Sequence, residues 1–363
     1  MLITALQFNH IKRNVQQKIT GVAVGVIGGY HGANLGDMAL GESVTTALKE
    51  RNIKTGLQTI YNLSKWPAAP YAIVGGGAVG YEESLLKVAQ RYKGKFERVA
   101  LLGVDYNEKT YSGEGLELLK GAAFLSCRSK AQADKIAGLT GRKDIIHHPD
   151  IAFSLHRDYC ATIRRSAKHL ERKKLLVNVL PLYGQLENAV MVPMKQYEAE
   201  RPELYANFKQ MQTAYKNYVR GIVSNAIADG YEVETIPFTP QDGVYGEFIL
   251  AGLAVKHNSY NADPLQMIKL MATAGRVLST RYHTTIFAIK LGIPIYPIAY
   301  AVKNELLLQD LGIAREAFLS TVDLANGRED LLPPVTADEK EVTAFEAKSK
   351  AAVDASIEAL HIN

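Results

Sequence analysis

Residues 277–300 read VLSTRYHTTIFAIKLGIPIYPIAY, and this stretch decides the fold of the second half of the chain. A short apolar run ends in two hydroxyl residues, an arginine, a tyrosine and a histidine, after which apolar residues recur at helical spacing. A glycine and a proline close this helix, and a second apolar run leads toward Lys303. Strand, turn, helix and strand in this order predict a parallel sheet in which Arg281 and His283 lie where a strand ends and a helix begins.

Arg281 and His283 therefore have a position at which proteins commonly bind anions. The free N–H groups and the dipole of a helix N-terminus favour negative charge. Arg281 adds a fixed cation, His283 adds a ring that can carry a proton, and Lys303 follows the next strand toward the same crevice. The pattern predicts chemistry on a phosphorylated substrate.

The size and composition of the chain indicate a two-domain enzyme. It has 363 residues and a mass of 39.9 kDa, and 47% hydrophobic with 22% charged residues is typical of a soluble globular protein. No apolar stretch is long enough to span a bilayer, and residues 1–13 lack the pattern of an export signal. Two cysteines, Cys127 and Cys160, argue against a disulfide framework. We therefore expect a cytoplasmic protein.

Strand and helix patterns alternate along both halves of the chain, which predicts mostly parallel sheets covered by helices on both faces. We expect an N-terminal α/β domain over residues 1–156, a basic crossover segment over 157–174 and a C-terminal α/β domain over 175–335. An amphipathic helix within residues 336–363 would pack back on a domain surface. Two such Rossmann-like domains facing each other across a cleft would resemble the GT-B architecture.

The basic crossover segment allows two interpretations. Residues 157–174 hold seven lysines and arginines against Asp158 and Glu171, within a net charge of +5 for the chain. The segment is either a solvated helix or linker face, or a patch for anionic lipid or a lipid-phosphate carrier at the inner membrane face. Nucleic acid is not an expected partner, because no aromatic residues interleave with these charges in a recognisable nucleic-acid-binding module.

Glycines and polar residues follow several strands of the first half, where ligands bind in parallel sheets. The loop over residues 28–37 is neither a dinucleotide fingerprint nor a Walker loop, so NAD and ATP are not predicted. Asp37 either caps the next helix or lines the site. The further candidate binding residues are Asn34, Gly75, Gly76, Gly77, Arg128, Asp150, Ser279 and Thr280.

Some local patterns bear on these candidates. A strand is predicted over residues 145–151, with Asp150 at its end, and a helix over 246–255. A capping box over residues 336–339 predicts the start of the last helix. His147 and His148 are adjacent on a strand and point to opposite faces, so no metal site is predicted. Cys127 is interpreted as a core residue rather than a nucleophile.

Taken in their order along the chain, these pieces resemble the polysaccharide pyruvyl transferase family. The sequence departs from the usual pattern of this family at two places. Thr280 stands where alanine is more usual, and His31, Gly32 and Ala33 are inserted in the first loop. The matching pieces are Asn34-Leu35-Gly36-Asp37, Gly75-Gly76-Gly77, Arg128-Ser129, Pro149-Asp150, Arg281-Tyr282-His283 and the stretch from Gly292-Ile293-Pro294 to Lys303.

The resemblance implies a GT-B-like fold and phosphoenolpyruvate as co-substrate, with no further cofactor. The product would be a pyruvate ketal on two hydroxyls of a saccharide, free or lipid-linked, in bacterial-type exopolysaccharide or cell-wall biosynthesis. His283 would be the general acid, and Arg281, Arg128 and Lys303 would bind phosphate and carboxylate. A carboxylate for the acceptor would be Asp37 or Asp150, and the sequence does not choose between them.

Two other functions fit the same anion site. A GT-B glycosyltransferase would place the phosphates of a nucleotide sugar there, and saturable binding of UDP or GDP would reveal it. A non-catalytic protein that binds a sugar or lipid carrier would keep its function after Arg281→Ala and His283→Ala.

Overall fold

A computed structural model describes residues 21–106, 111, 113–166, 168–199 and 201–362. Residues 1–13, in which no export signal is expected, lie outside the described residues. The chain forms two compact units. The first takes in the described residues up to Arg157 together with those from Ala344 onward, and the second comprises Asp158–Thr343.

Strands and helices alternate along the described chain. The strands are β1 (Val24–Gly28), β2 (Thr55–Thr59), β3 (Tyr71–Gly77), β4 (Val99–Val104), β5 (Phe124–Cys127), β6 (Ile146–His147), β7 (Lys174–Asn178), β8 (Gly184–Glu187), β9 (Val190–Pro193), β10 (Glu232–Thr235), β11 (Val255–Lys256), β12 (Arg276–Ser279), β13 (Ile295–Ala299) and β14 (Leu319–Ser320). The α-helices are α1 (Leu35–Glu50), α2 (Glu82–Arg91), α3 (Gly113–Gly121), α4 (Lys130–Thr140), α5 (Arg157–Ser166), α6 (Pro202–Ala206), α7 (Phe208–Ala228), α8 (Pro240–Ile249), α9 (Pro264–Met271), α10 (Tyr282–Lys290), α11 (Val302–Asp310), α12 (Thr321–Ala325) and α13 (Glu339–Glu358).

The sheet of the first unit has the order β2-β1-β3-β4-β5-β6, and its paired neighbours are parallel. All residues of β1 and β4 are buried, as expected of strands covered on both faces. The strand order reverses between β1 and β3. Ligands of open parallel sheets bind beyond the carboxyl ends of the strands at such a reversal.

The sheet of the second unit has the order β11-β10-β7-β12-β13-β14, again with parallel neighbours. When only the strands of this sheet are counted, they follow the order 3-2-1-4-5-6, which is that of dinucleotide-binding domains. The reversal lies between β7 and β12, and β12 leads directly to Arg281. The predicted α/β class, with two Rossmann-like sheets, is confirmed.

The helix predicted over residues 246–255 was placed too late. Helix α8 begins at Pro240, because the hydroxyl of Thr239 accepts from the N–H of Asp242 and the Asp242 carboxylate accepts from the N–H of Thr239. This capping box, with proline in the first turn, is readable in the sequence. The antiparallel hairpin of β8 and β9 was not predicted.

Two other local predictions were wrong. The strand predicted over residues 145–151 is only Ile146–His147, and the Asp150 carboxylate instead caps the 3₁₀ helix Ile151–Ser154 by accepting from the N–H of Ala152 at 2.9 Å. The last helix is capped by Asp338, which accepts from the N–H groups of its second and third following residues, and not by Thr336.

Each unit has an apolar core of its own. The part of α13 that belongs to the first unit packs against the 3₁₀ helix Ile151–Ser154, where the rings of Phe345 and Phe153 meet edge to face at 5.4 Å. Ser349 Oγ donates to the carbonyl of Asp150 at 3.0 Å. None of the described helices combines the length with the apolar composition that a bilayer span requires.

Candidate active site

Asn178, the last residue of β7, stabilises the point at which the strand order of the second sheet reverses. The Asn178 amide oxygen accepts from the N–H of Arg281 at 2.8 Å, and its Nδ2 donates to the carbonyl of Ile236 at 3.0 Å. Asn178 therefore ties the segments that follow β10 and β12 to the end of β7. This fixes the backbone of Arg281 at the start of α10.

Ser279 and Thr280 are fully buried, and their hydroxyls bind protein groups. Thr285 Oγ1 donates to Ser279 Oγ at 3.1 Å, and Thr280 Oγ1 donates to the carbonyl of Asn178 at 3.2 Å. The Tyr215 hydroxyl lies 2.8 Å from Thr280 Oγ1. In this structure the two predicted binding residues thus support the loop that carries Arg281.

The Arg281 guanidinium is held by a buried carboxylate that the sequence analysis missed. Its Nη2 lies 2.6 Å from Asp242 Oδ1 and 3.1 Å from Thr239 Oγ1, and its Nε lies 3.1 Å from both Asp242 oxygens. The Asp242 side chain is 0% exposed and that of Arg281 20%, so Arg281 keeps some exposed surface beside a fully buried carboxylate. Burial opposes the charge of Arg281, but Asp242 more than offsets it and raises the pKa of Arg281.

His283 and Lys303 both lie close to the ring of Tyr282. The ring of His283, in the first turn of α10 and half-buried, meets the ring of Tyr282 edge to face at 5.3 Å. Lys303 Nζ lies 5.3 Å from the Tyr282 ring and 5.6 Å from the Tyr300 ring, in cation–π geometry. Lys303 is exposed, and it forms no ion pair with any carboxylate of the described chain.

The structure thus brings Arg281, His283 and Lys303 together at the carboxyl edge of the second sheet. Arg281 is paired with Asp242, and Lys303 adds a second cation, so these three charges sum to a positive value before His283 is counted. The N-terminus of α10 adds its dipole. This edge is suited to a ligand that carries more than one negative charge.

In the first unit, the glycines of the switch point make room for neighbouring side chains. A Cβ at Gly28 would overlap the ring of Tyr30, whose hydroxyl donates to the carbonyl of Gly75. A Cβ at Gly76, whose φ is +65°, would lie 2.9 Å from Leu40 of α1. The predicted ligand-lining glycines, Gly75, Gly76 and Gly77, are buried in the structure. Close packing of strand and helix explains their presence here.

Asn34, and not Asp37, is the N-cap of α1, because its Oδ1 accepts from the N–H of Gly36 at 2.9 Å. Asp37 lies in the first turn, half-buried, with its Oδ2 3.2 Å from the place of a Cβ on Gly29. Burial raises the pKa of Tyr30, and the charges of Asp37 and Asp150 raise it further. Both carboxylates therefore lie close enough to this edge of the sheet to influence the charge state of Tyr30.

Arg128 follows β5 and is held between two carboxylates. Its Nε donates to Asp105 Oδ1 at 2.9 Å, its Nη2 binds Asp105 Oδ2, and its Nη1 donates to Asp150 Oδ2 at 2.5 Å. The side chains of Arg128 and Asp150 are 8% and 0% exposed. Asp105 was also missed, although its place directly after the buried strand β4 was a signal. One cation against two carboxylates leaves this group negative.

Of the two adjacent histidines, only His147 belongs to strand β6, and His148 follows it. His147 is exposed, whereas His148 is buried, with Nδ1 donating to the carbonyl of Pro149 at 2.7 Å and Nε2 accepting from Ser126 Oγ at 2.9 Å. Burial lowers the pKa of His148 to about 4. Burial also raises the pKa of Cys127 to about 12, so this thiol is a core residue. Within the described ranges, no three metal-ligating side chains come together.

The lysines and arginines of the basic crossover segment bind several different groups of the protein. Arg164 Nη1 donates to the carbonyl of Lys290, Arg172 Nη1 to that of Ala272, and Lys173 Nζ to that of Asp229. Lys174 Nζ lies 2.9 Å from Glu234. Four of the segment's cations therefore hold elements of the second unit in place.

A model of the family described as polysaccharide pyruvyl transferase matches residues 34–301. The match covers most of the chain and includes the predicted site residues except Lys303. No curated protein matches the chain.

Similar solved structures include a functionally uncharacterised protein from Klebsiella pneumoniae, 15% identical, covering 84% of this chain and 93% of its own, with a TM-score of 0.42. The UDP-GlcNAc 2-epimerase of Neisseria meningitidis, bound to UDP-GlcNAc, is 11% identical and covers 92% and 99%, with a TM-score of 0.46. The MnaA–UDP structure from S. aureus is 9% identical and covers 92% and 94%, with a TM-score of 0.47. At these identities and TM-scores the structures carry no argument about this chain.

Proposed function

The chain belongs to the polysaccharide pyruvyl transferase family, and we propose that it moves the enolpyruvyl group of phosphoenolpyruvate onto two hydroxyls of a saccharide. The product is a pyruvate ketal, and inorganic phosphate is released. Phosphoenolpyruvate is a co-substrate, and no further cofactor is required, because the enol phosphate itself activates the transferred carbon. The acceptor is a saccharide, free or lipid-linked, in exopolysaccharide or cell-wall biosynthesis.

The positive edge of the second sheet is the observation that supports this donor. Phosphoenolpyruvate carries a phosphate and a carboxylate, and Arg281 and Lys303 offer a cation for each beside the N-terminus of α10. Asp242 holds the guanidinium in one orientation, so little side-chain entropy is lost when the anion binds. Arg128, between two carboxylates, is less suited to bind the donor.

The reaction assigns a distinct task to His283. A proton must be added to the methylene carbon of phosphoenolpyruvate, which leaves an oxocarbenium-like centre on the carbon that bears the phosphate. One saccharide hydroxyl adds to that carbon and loses its proton, the bond to the phosphate oxygen breaks, and the second hydroxyl adds with loss of its proton. The imidazole of His283, two positions after Arg281 in the chain, is the group that donates the first proton.

The two carboxylates considered for the acceptor have different surroundings. Asp150 is 0% exposed, caps a 3₁₀ helix and binds Arg128, so its oxygens are committed to the fold. Asp37 is half-buried in the first turn of α1. We assign to Asp37 the removal of a proton from an acceptor hydroxyl.

The proposal predicts that phosphate release requires both phosphoenolpyruvate and an acceptor. The purified chain would be incubated with phosphoenolpyruvate and a panel of β-galactoside, mannose-type and N-acetylhexosamine glycosides. Mass spectrometry should show a gain of C₃H₂O₂ on one of them. Release of a nucleoside diphosphate from a nucleotide sugar, with no reaction of phosphoenolpyruvate, would establish the glycosyltransferase alternative instead.

With a cytosolic donor, we expect the reaction to take place in the cytoplasm. A lipid-linked acceptor would bring it to the inner membrane face.

A further inference from the structure

Aromatic side chains follow three neighbouring strands of the first sheet. Tyr61 lies in the 3₁₀ helix Ile60–Lys65 directly after β2, His31 follows β1, and Tyr81 precedes α2 after β3. The order β2-β1-β3 makes these strands neighbours, and the carboxyl ends of parallel strands meet at one edge. These three rings therefore belong to the same edge of the sheet.

The two tyrosines are open to solvent. Tyr61 is 61% exposed and Tyr81 47% exposed, and the rings of His31 and Tyr61 lie 5.4 Å apart at an angle of 55°. A single exposed aromatic side chain is ordinary, but several around one sheet edge form a surface that can stack on a flat apolar face. The C–H face of a pyranose ring is such a face.

Asp37 lies within electrostatic reach of this surface. Burial raises the pKa of Tyr61, and the charge of Asp37 raises it further, followed by that of Tyr81. An ionised carboxylate offers about four acceptor positions, so Asp37 can accept from two neighbouring hydroxyls while keeping a protein contact. The surface therefore combines rings for stacking with an acceptor for a diol.

The charge of this edge disfavours a phosphorylated occupant. Lys87, the nearby cation that lowers the pKa of Tyr61, lies 2.8 Å from Glu83 and is paired with it. Asp37 adds a negative charge, and the group formed by Asp105, Arg128 and Asp150 is itself negative. A neutral polyol suits this edge better than a nucleotide or an anionic lipid.

We infer that Tyr61, Tyr81, His31 and Asp37 form the acceptor subsite, in which a pyranose ring stacks on the exposed tyrosines and a diol faces Asp37. This assignment rests on the proposed transferase function. It makes Tyr61 and Tyr81 specificity-determining residues for the acceptor, while the donor is bound by the second unit.

The test compares the kinetics of Tyr61→Ala and Tyr81→Ala with those of the unmodified chain. Each variant should raise the KM for the acceptor about tenfold, the factor that corresponds to the loss of one aromatic contact, and leave the KM for phosphoenolpyruvate unchanged. Tyr61→Phe, which keeps the ring, should retain most of the affinity. Tyr159→Ala removes an exposed tyrosine of α5 in the second unit and is the matched control.

A binding measurement without the donor separates this inference from the proposed function. Saturation-transfer NMR would follow each glycoside of the β-galactoside, mannose-type and N-acetylhexosamine panel in the presence of the unmodified chain and of Tyr61→Ala. Circular dichroism would check that the variant is folded. Transfer that is lost in the variant supports the subsite, even if phosphoenolpyruvate never reacts. Equal transfer over both proteins, or none over the unmodified chain, overturns it.

Discussion

Arg128 in the first unit and Arg281 in the second have equivalent positions, because each follows the carboxyl end of a parallel strand and is held by a buried carboxylate. Arg128 lies between Asp105 and Asp150, whereas Arg281 binds Asp242 as its one acidic partner in the described chain. An arginine after a strand is therefore not by itself an anion site. The number of carboxylates that bind the arginine decides the net charge of the group that they form with it.

The second difference concerns what surrounds each arginine. Lys303, next to Tyr282, adds a positive charge that has no acidic partner among the described residues of the second unit. The edge of the first sheet has exposed tyrosines and Asp37 instead. We therefore propose that one sheet edge binds the anionic donor and the other a neutral saccharide.

The largest expected effect is on proton donation, which we propose for His283 of the second unit. His283→Gln should lower kcat by about 10²–10⁴, the range for loss of a general acid, with little change in the KM for phosphoenolpyruvate. The measurement is phosphate release at saturating donor and acceptor across pH. The pH dependence of kcat/KM should differ from that of the unmodified chain.

His257→Gln is the matched control for this prediction, because His257 is an exposed histidine of the same unit. It should keep the activity and the pH profile of the unmodified chain. If His283→Gln also keeps both, His283 is not the proton donor.

The next effect concerns the carboxylates that hold the two arginines. Asp242→Asn leaves Arg281 without its acidic partner and weakens the cap of α8, and we expect a loss of about 3–5 kcal/mol in the free energy of unfolding. Asp105→Asn should cost less, because Arg128 keeps Asp150. Urea denaturation followed by circular dichroism compares the two. Equal losses would show that the number of carboxylates does not distinguish the arginines.

Much of the fold could be predicted from the sequence. Buried apolar runs such as Val99–Val104 alternate with helical patterns, which is sufficient to predict parallel sheets. The position of Arg281 and His283 followed from local order alone, because strand, turn and helix are contiguous in the chain. The strand orders were not predictable, since they depend on packing between distant segments.

The partner of Arg281 shows why the site was only partly predictable. Asp242 is separated from Arg281 by 39 positions, and the two meet because β10 and β12 both pair with β7. The capping box of Thr239 and Asp242 was readable, but its contact with a distant guanidinium was not. The glycine run of β3 was ambiguous for a related reason, since space for Leu40 and space for a ligand require the same residues.

A smaller effect tests whether the two arginines differ toward the donor. Arg281→Lys keeps the charge but loses the planar fork that Asp242 orients, so kcat/KM for phosphoenolpyruvate should fall about a hundredfold. Arg128→Lys, the matched change in the first unit, should alter it much less. Steady-state phosphate release at varied phosphoenolpyruvate gives both values. Equal losses would place the donor's anions at both edges.

The smallest effect is a pH dependence specific to the first unit. The pKa of His148 is about 4 in the folded chain, below its ordinary value of 6.5. Between these values the unfolded chain binds a proton that the folded chain does not, so stability is lost as the pH falls through this window. Lowering the pH from 7 to 5 should cost about 2 kcal/mol through this residue, and His148→Gln should remove that part of the loss.

Trp66, the single tryptophan of the chain, belongs to the first unit and reports its unfolding in urea by fluorescence. His147→Gln is the control, because it removes the exposed neighbour of His148 and should leave the pH dependence as in the unmodified chain. A pH dependence that stays unchanged in His148→Gln would mean that this histidine takes up its proton before the first unit unfolds. Burial would then not keep this histidine neutral, and the acid sensitivity of this unit would have to arise from its carboxylates.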